Sequence, residues 1–183
     1  MITLAASKGA SFLCQQTGDN SRYAVYRYGL ECILNECIAD CLIFTIGCLS
    51  HKPFEMFLWM ATFTICRINM GGWHAPNHFI CISCSVLAGS VPLLMYNEMS
   101  PAYNPSFCTL TLLAYFVWAL VKLPLHTSRH IVSRQRQVFA KCIDAGIISL
   151  LLLIINICGS VSSYIYFVYI AITEAVILTL FNK

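Results

Sequence analysis

The chain has 183 residues, 58% of them hydrophobic and only 10% charged, with a formal net charge of +3. Soluble domains carry about 25% charged residues, so this composition, with a mean hydropathy of +0.73, excludes a water-soluble or disordered chain. It predicts an all-α polytopic membrane protein, a single membrane-embedded domain over residues 1–183, with lipid as its solvent and no nucleic-acid partner. Eleven cysteines would suit a disulfide scaffold only in a short secreted chain. Most sit in or beside apolar runs and read as small packing residues.

Residues 1–28 form a basic segment carrying Lys8, Arg22 and Arg27, and Ile2, Ala5, Gly9, Phe12 and Leu13 fall near one helical face. The segment reads either as an interfacial helix or as a cytoplasmic tail. No cleavable leader is expected, because the first apolar run is short. Gly29–Ser50 is the first long span and holds three acids, Glu31, Glu36 and Asp40. Glu36 and Asp40 are four apart and share a face, and acids within a span usually face a bundle interior or water. His51-Lys52-Pro53 makes a turn. Phe54–Cys66 is short for a span that needs about 20 residues, and is expected to tilt or to extend through Met70.

Pro76–Tyr96 is the third span, with Pro92 inside it, and Ser106–Leu123 the fourth. Residues 122–141 read as a basic loop with Lys122, Arg129, Arg134, Arg136 and Lys141 and no acid. Ile143–Phe181 is long enough, at about 1.5 Å per residue, for two crossings joined near Gly159. Six transmembrane helices result. The termini and even-numbered connections hold every basic residue except Lys52. The positive-inside rule therefore puts both termini and the stretch Arg67–Cys81 on the cytoplasmic side.

That stretch, RINMGGWHAPNHFIC, holds the chemistry. A cysteine attacks as its thiolate, and a nearby imidazole can take its proton. His74 and Cys81 are seven residues apart, a rise of about 10.5 Å on a straight helix, so the backbone must break between them. Gly71-Gly72 permits positive φ, and Pro76 disfavours helix at Ala75 while suiting a first helical turn. His74 is thus expected on a loop, folded back over Cys81 in the helix that follows.

Arg67, the Gly71-Gly72-x-His74-Ala75 run and Cys81 resemble the catalytic motif of the accessory gene regulator B (AgrB) family, membrane-embedded cysteine endopeptidases that process quorum-sensing pro-peptides. Tyr28-Gly29-Leu30-Glu31 is similar to the family's approach to its first long span, and the basic loop is a vaguer match. The resemblance implies a bacterial membrane enzyme with His74 and Cys81 catalytic. It implies no cofactor, a pro-peptide of the autoinducing-peptide precursor type as substrate, and a homodimer in the lipid bilayer. Arg129, Arg134 and Arg136 would hold the precursor's charged, often acidic tail.

Other roles stay open. Arg67, Asn69 and Asn77 can stabilise an oxyanion or bind substrate, or they can anchor the span and cap turns. Glu36 or Asp40 can orient His74, as third members of catalytic triads do. His74, His78, Cys81 and Cys84 have N/S ligand chemistry of the kind zinc takes, although Pro76 argues against one helix carrying all four. A transporter-like membrane protein or scaffold would also use an acidic first span.

Overall fold

The computed structural model describes residues 2–70, 77–99, 104–122 and 134–180. Among these residues all regular structure is helical: α1 (Ile2–Thr17), α2 (Tyr23–Leu49), α3 (Pro53–Met70), α4 (His78–Met99), α5 (Pro105–Lys122), α6 (Arg134–Cys158) and α7 (Ser163–Leu180). Four stretches, Asn20–Leu49, His78–Tyr96, Gln135–Cys158 and Ser163–Leu180, are long and apolar enough to cross a membrane. Of the other two expected crossings, the apolar part of α5, Pro105–Val121, is shorter. Helix α3 spans 18 residues with Glu55 and Arg67 near its ends, about 27 Å at the helical rise.

The turns follow from local chemistry. Asp19 accepts hydrogen bonds from the Ser21 hydroxyl and from its backbone N–H at 3.0 Å, and pairs with Arg22 at 3.1 Å. Those Ser21 bonds, with the Arg22 charge, hold the exposed Asp19 carboxyl below its ordinary value. Between α2 and α3, His51 takes φ 56° while Lys52 N–H donates to Gly47 at 2.9 Å. Pro53 then opens α3, a position where its missing N–H is not needed. Gly159, at φ 63°, closes α6 by donating to Ile155 at 2.9 Å, an αL stop that favours glycine.

The core is built on α3 and α7. Met56, Trp59, Phe63, Cys66 and Met70 recur at helical spacing along one stripe of α3, and all are buried. They pack with Ile165, Tyr166, Phe167 and Ile172 of α7 in one apolar cluster. The Trp59 and Phe63 rings stack at 4.7 Å. Within the core, Trp59 Nε1 donates to Glu174 Oε2 at 2.9 Å, so the indole N–H is satisfied where water is absent. Leu87, Leu94, Leu110 and Ile157 point outward and are each at least two-thirds exposed, which suits a lipid-facing surface. Helix α1 packs on α2, α2 also meets α3 and α4, and α5 packs on α6.

One expectation is corrected, and the choice left open at the N-terminus falls to a helix. Helix α6 starts at Arg134, so the last eight residues of the expected basic loop, 134–141, are helical. Arg134 through Cys142 contains no breaker, and arginine, glutamine, alanine and lysine are good helix formers. Hydropathy registers the charges in this stretch but not the propensity. The N-terminal segment is a helix docked on α2 through Ala6, Ala10 and Cys14, with Gly9 close against Leu30. It is therefore not a loose tail.

Candidate active site

The site is assembled at the start of α4. Asn77 caps that helix: its side-chain oxygen accepts from Phe79 N–H at 2.9 Å, and its backbone carbonyl from Cys81 N–H at 3.0 Å. Asparagine is a preferred N-cap because its oxygen satisfies an otherwise orphaned N–H of the first turn. The oxygen is committed to that task. Cys81 therefore sits at the end of the first turn, half-buried, inside a helix as the sequence predicts.

Side chains from three helices surround it. Arg67 of α3, Glu36 and Cys32 of α2, and Cys84 one turn along α4 all lie within electrostatic reach of the Cys81 sulfur. The Arg67 guanidinium is over the Phe63 ring, 5.7 Å from its centroid. Thr64 donates to Glu36 at 3.5 Å, linking α3 to the same face of α2. Asp40 is close enough to feel the Glu36 charge and is one turn deeper.

His78 is also part of this cluster. Asn35 Nδ2 lies 2.7 Å from His78 Nδ1, a hydrogen bond that engages this ring nitrogen. Nε2 faces Glu31 Oε2 at 3.9 Å, and Arg27 holds the other oxygen of Glu31 at 3.1 Å. The motif excludes His78, and its partners lie 43 and more residues away in the chain, so sequence reasoning gave it only the alternative role of a metal ligand. With Nδ1 engaged by Asn35, His78 does not serve the alternative zinc set through that nitrogen. Among the described residues no group of three His, Cys, Asp or Glu side chains is arranged to hold a metal ion.

Asn69 turns the other way. Its Nδ2 donates to Asp144 Oδ1 of α6 at 3.2 Å, which ties the last turn of α3 to α6. Asp144 is fully buried, with Oδ2 unpartnered among the described residues. It is the residue that sequence reasoning missed. An isolated acid ten residues into α6 was a signal, since ionisable residues in spans are seldom idle. Arg136 is on the exposed first turn of α6, and Arg134 opens that helix. Gly71, Gly72, His74 and Arg129 lie outside the described residues.

Residues 6–181 match the family Accessory gene regulator B. The chain belongs to the AgrB family. The match spans nearly the whole chain, so the resemblance carried by Arg67, His74 and Cys81 extends through all seven helices. Comparison with curated proteins and with solved structures finds no significant match. As an AgrB family member with several membrane-crossing helices, this is a bacterial membrane protein of autoinducer-peptide processing, acting on a precursor peptide in the membrane.

Proposed function

We propose that this AgrB protein is a cysteine endopeptidase that removes the C-terminal tail of its pro-peptide and passes the remaining acyl group to ring closure. What supports the reading is the setting of Cys81: a half-buried thiol in the first turn of α4, with a cation from α3 and a polar face of α2 around it. His74 removes the thiol proton. The sulfur attacks the carbonyl carbon at the end of the future signal peptide, the C–N bond breaks, and His74 returns the proton to the departing amine. A thioester to Cys81 remains. A cysteine or serine side chain within the peptide attacks that thioester, the ring closes as a thiolactone or lactone, and the Cys81 thiol is regenerated. Exclusion of water protects the thioester from hydrolysis. Arg67 stabilises the developing oxyanion or binds a substrate carboxylate, and Arg129, Arg134 and Arg136 hold the tail.

The same reading takes all of α2 to α7 as crossings, six in one domain, with α3 and α5 the short ones. The site and both termini are cytoplasmic, because the basic residues cluster there, and the working unit is a homodimer. Cys81→Ala and His74→Ala should each abolish cleavage of a coexpressed precursor, read by mass spectrometry, with the protein still membrane-inserted. Cys84→Ala should cleave normally. An electrophilic thiol probe should modify Cys81 faster than the other ten cysteines. Equal labelling with intact cleavage in Cys81→Ala would remove the reading.

A further inference from the structure

We infer that Glu31, Asn35 and His78 form a clamp between α2 and α4 that positions Cys81 for attack, with His78 a positioning residue rather than the base. The inference rests on the endopeptidase reading and adds to it a device that the motif does not contain.

His78 is the histidine nearest to Cys81 in sequence, and residues three apart are neighbours on a helix surface. Yet its ring is turned to α2. Nδ1 is hydrogen-bonded to Asn35 at 2.7 Å and Nε2 faces Glu31 at 3.9 Å, so both ring nitrogens are directed at α2. Glu31 is in turn fixed by Arg27 at 3.1 Å, one turn earlier on α2. Deeper in the bundle α4 meets α2 by close packing: a Cβ on Gly89 would be 2.9 Å from Ile43 Cγ2. The two helices are thus pinned at two heights, by contact at Gly89 and by polar bonds at His78. The polar pin acts on the first turn of α4, whose end is Cys81. It fixes the rotation of that turn, and so the direction in which the sulfur leaves the helix.

Catalysis is steep in such placement: a shift of about 1 Å can cost roughly 100-fold. The test uses full-length enzyme in membranes with its precursor. His78→Ala should lower kcat for cleavage by roughly 10- to 100-fold with KM changed less than about threefold. His78→Asn, whose amide oxygen can still accept from Asn35, should recover most of that loss. Glu31→Gln should fall less than His78→Ala, and the double variant no further than His78→Ala alone, because both act through one clamp. Rates are normalised to folded enzyme, measured by thermal unfolding, and a deficit that vanishes on normalisation overturns the clamp. So does a normalised kcat for His78→Ala within twofold of the parent. A His78→Ala variant as inactive as Cys81→Ala and unrescued by His78→Asn would make His78 the base and also overturn it. If Cys81→Ala still cleaves, the endopeptidase reading fails and the clamp with it. An inactive Cys81→Ala beside a normal His78→Ala sinks the clamp alone.

Discussion

The seam between α3 and α7 and the seam between α2 and α4 serve the same bundle with different materials. On the first, Met56, Trp59 and Phe63 interlock with Phe167 and Ile172, and the Trp59 N–H donates to Glu174 inside the packing. On the second, the deep contact is a glycine against Ile43, and the shallow one is polar, from Asn35 and Glu31 to His78. Lipid supplies little hydrophobic drive between helices, so close packing and satisfied polar groups hold them together. The first seam spends both on rigidity. The second keeps partly exposed polar groups at its shallow end, near the half-buried Cys81.

Substitutions should therefore separate cleanly into those that stop the reaction and those that loosen the fold. The largest effect on activity is expected at Cys81→Ala, with cleavage lost and the unfolding temperature unchanged. The largest effect on stability is expected at Trp59→Ala. Emptying that buried site should cost about 3–5 kcal/mol, seen as a lower unfolding temperature in detergent. Gly89→Val should cost about 1–3 kcal/mol by forcing α4 from Ile43, and Gly89→Val with Ile43→Ala should recover part of it. Asp144→Leu should cost about 1–3 kcal/mol, because Asn69 loses its acceptor, whereas Asp144→Asn keeps one and should stay near the parent. A stable but inactive Asp144→Asn would give that carboxylate a chemical role and move the boundary between the two seams. Smallest is Gly159→Ala, about 1 kcal/mol for an αL residue acquiring a Cβ, with normal kcat.

Much of this arrangement is legible in the sequence, and the exceptions share a cause. Hydropathy and turn residues locate the hairpin at Gly159, the extension of α3 to Met70 and the helix that carries Cys81, because each depends on neighbours in the chain. The start of α6 at Arg134 was hidden by its charges, although its helix propensity is good. The Asn69–Asp144 and Asn35–His78 bonds join residues 75 and 43 positions apart, and no local pattern announces such a pairing. Asn77 was readable as a choice between capping and oxyanion donation; its oxygen caps α4, a task that does not use the amide nitrogen an oxyanion would need.

The indole of Trp59 finds its carboxylate 115 residues later in the chain. While the ribosome is still making the intervening helices, the buried stripe of α3 has no permanent neighbour. Contacts so distant in sequence form late, so insertion of the helices and completion of the bundle are separate events in the life of each molecule. A chain interrupted before Ser163 would carry the whole Cys81 neighbourhood yet leave Trp59 and Phe63 uncovered, an invitation to membrane quality-control proteases.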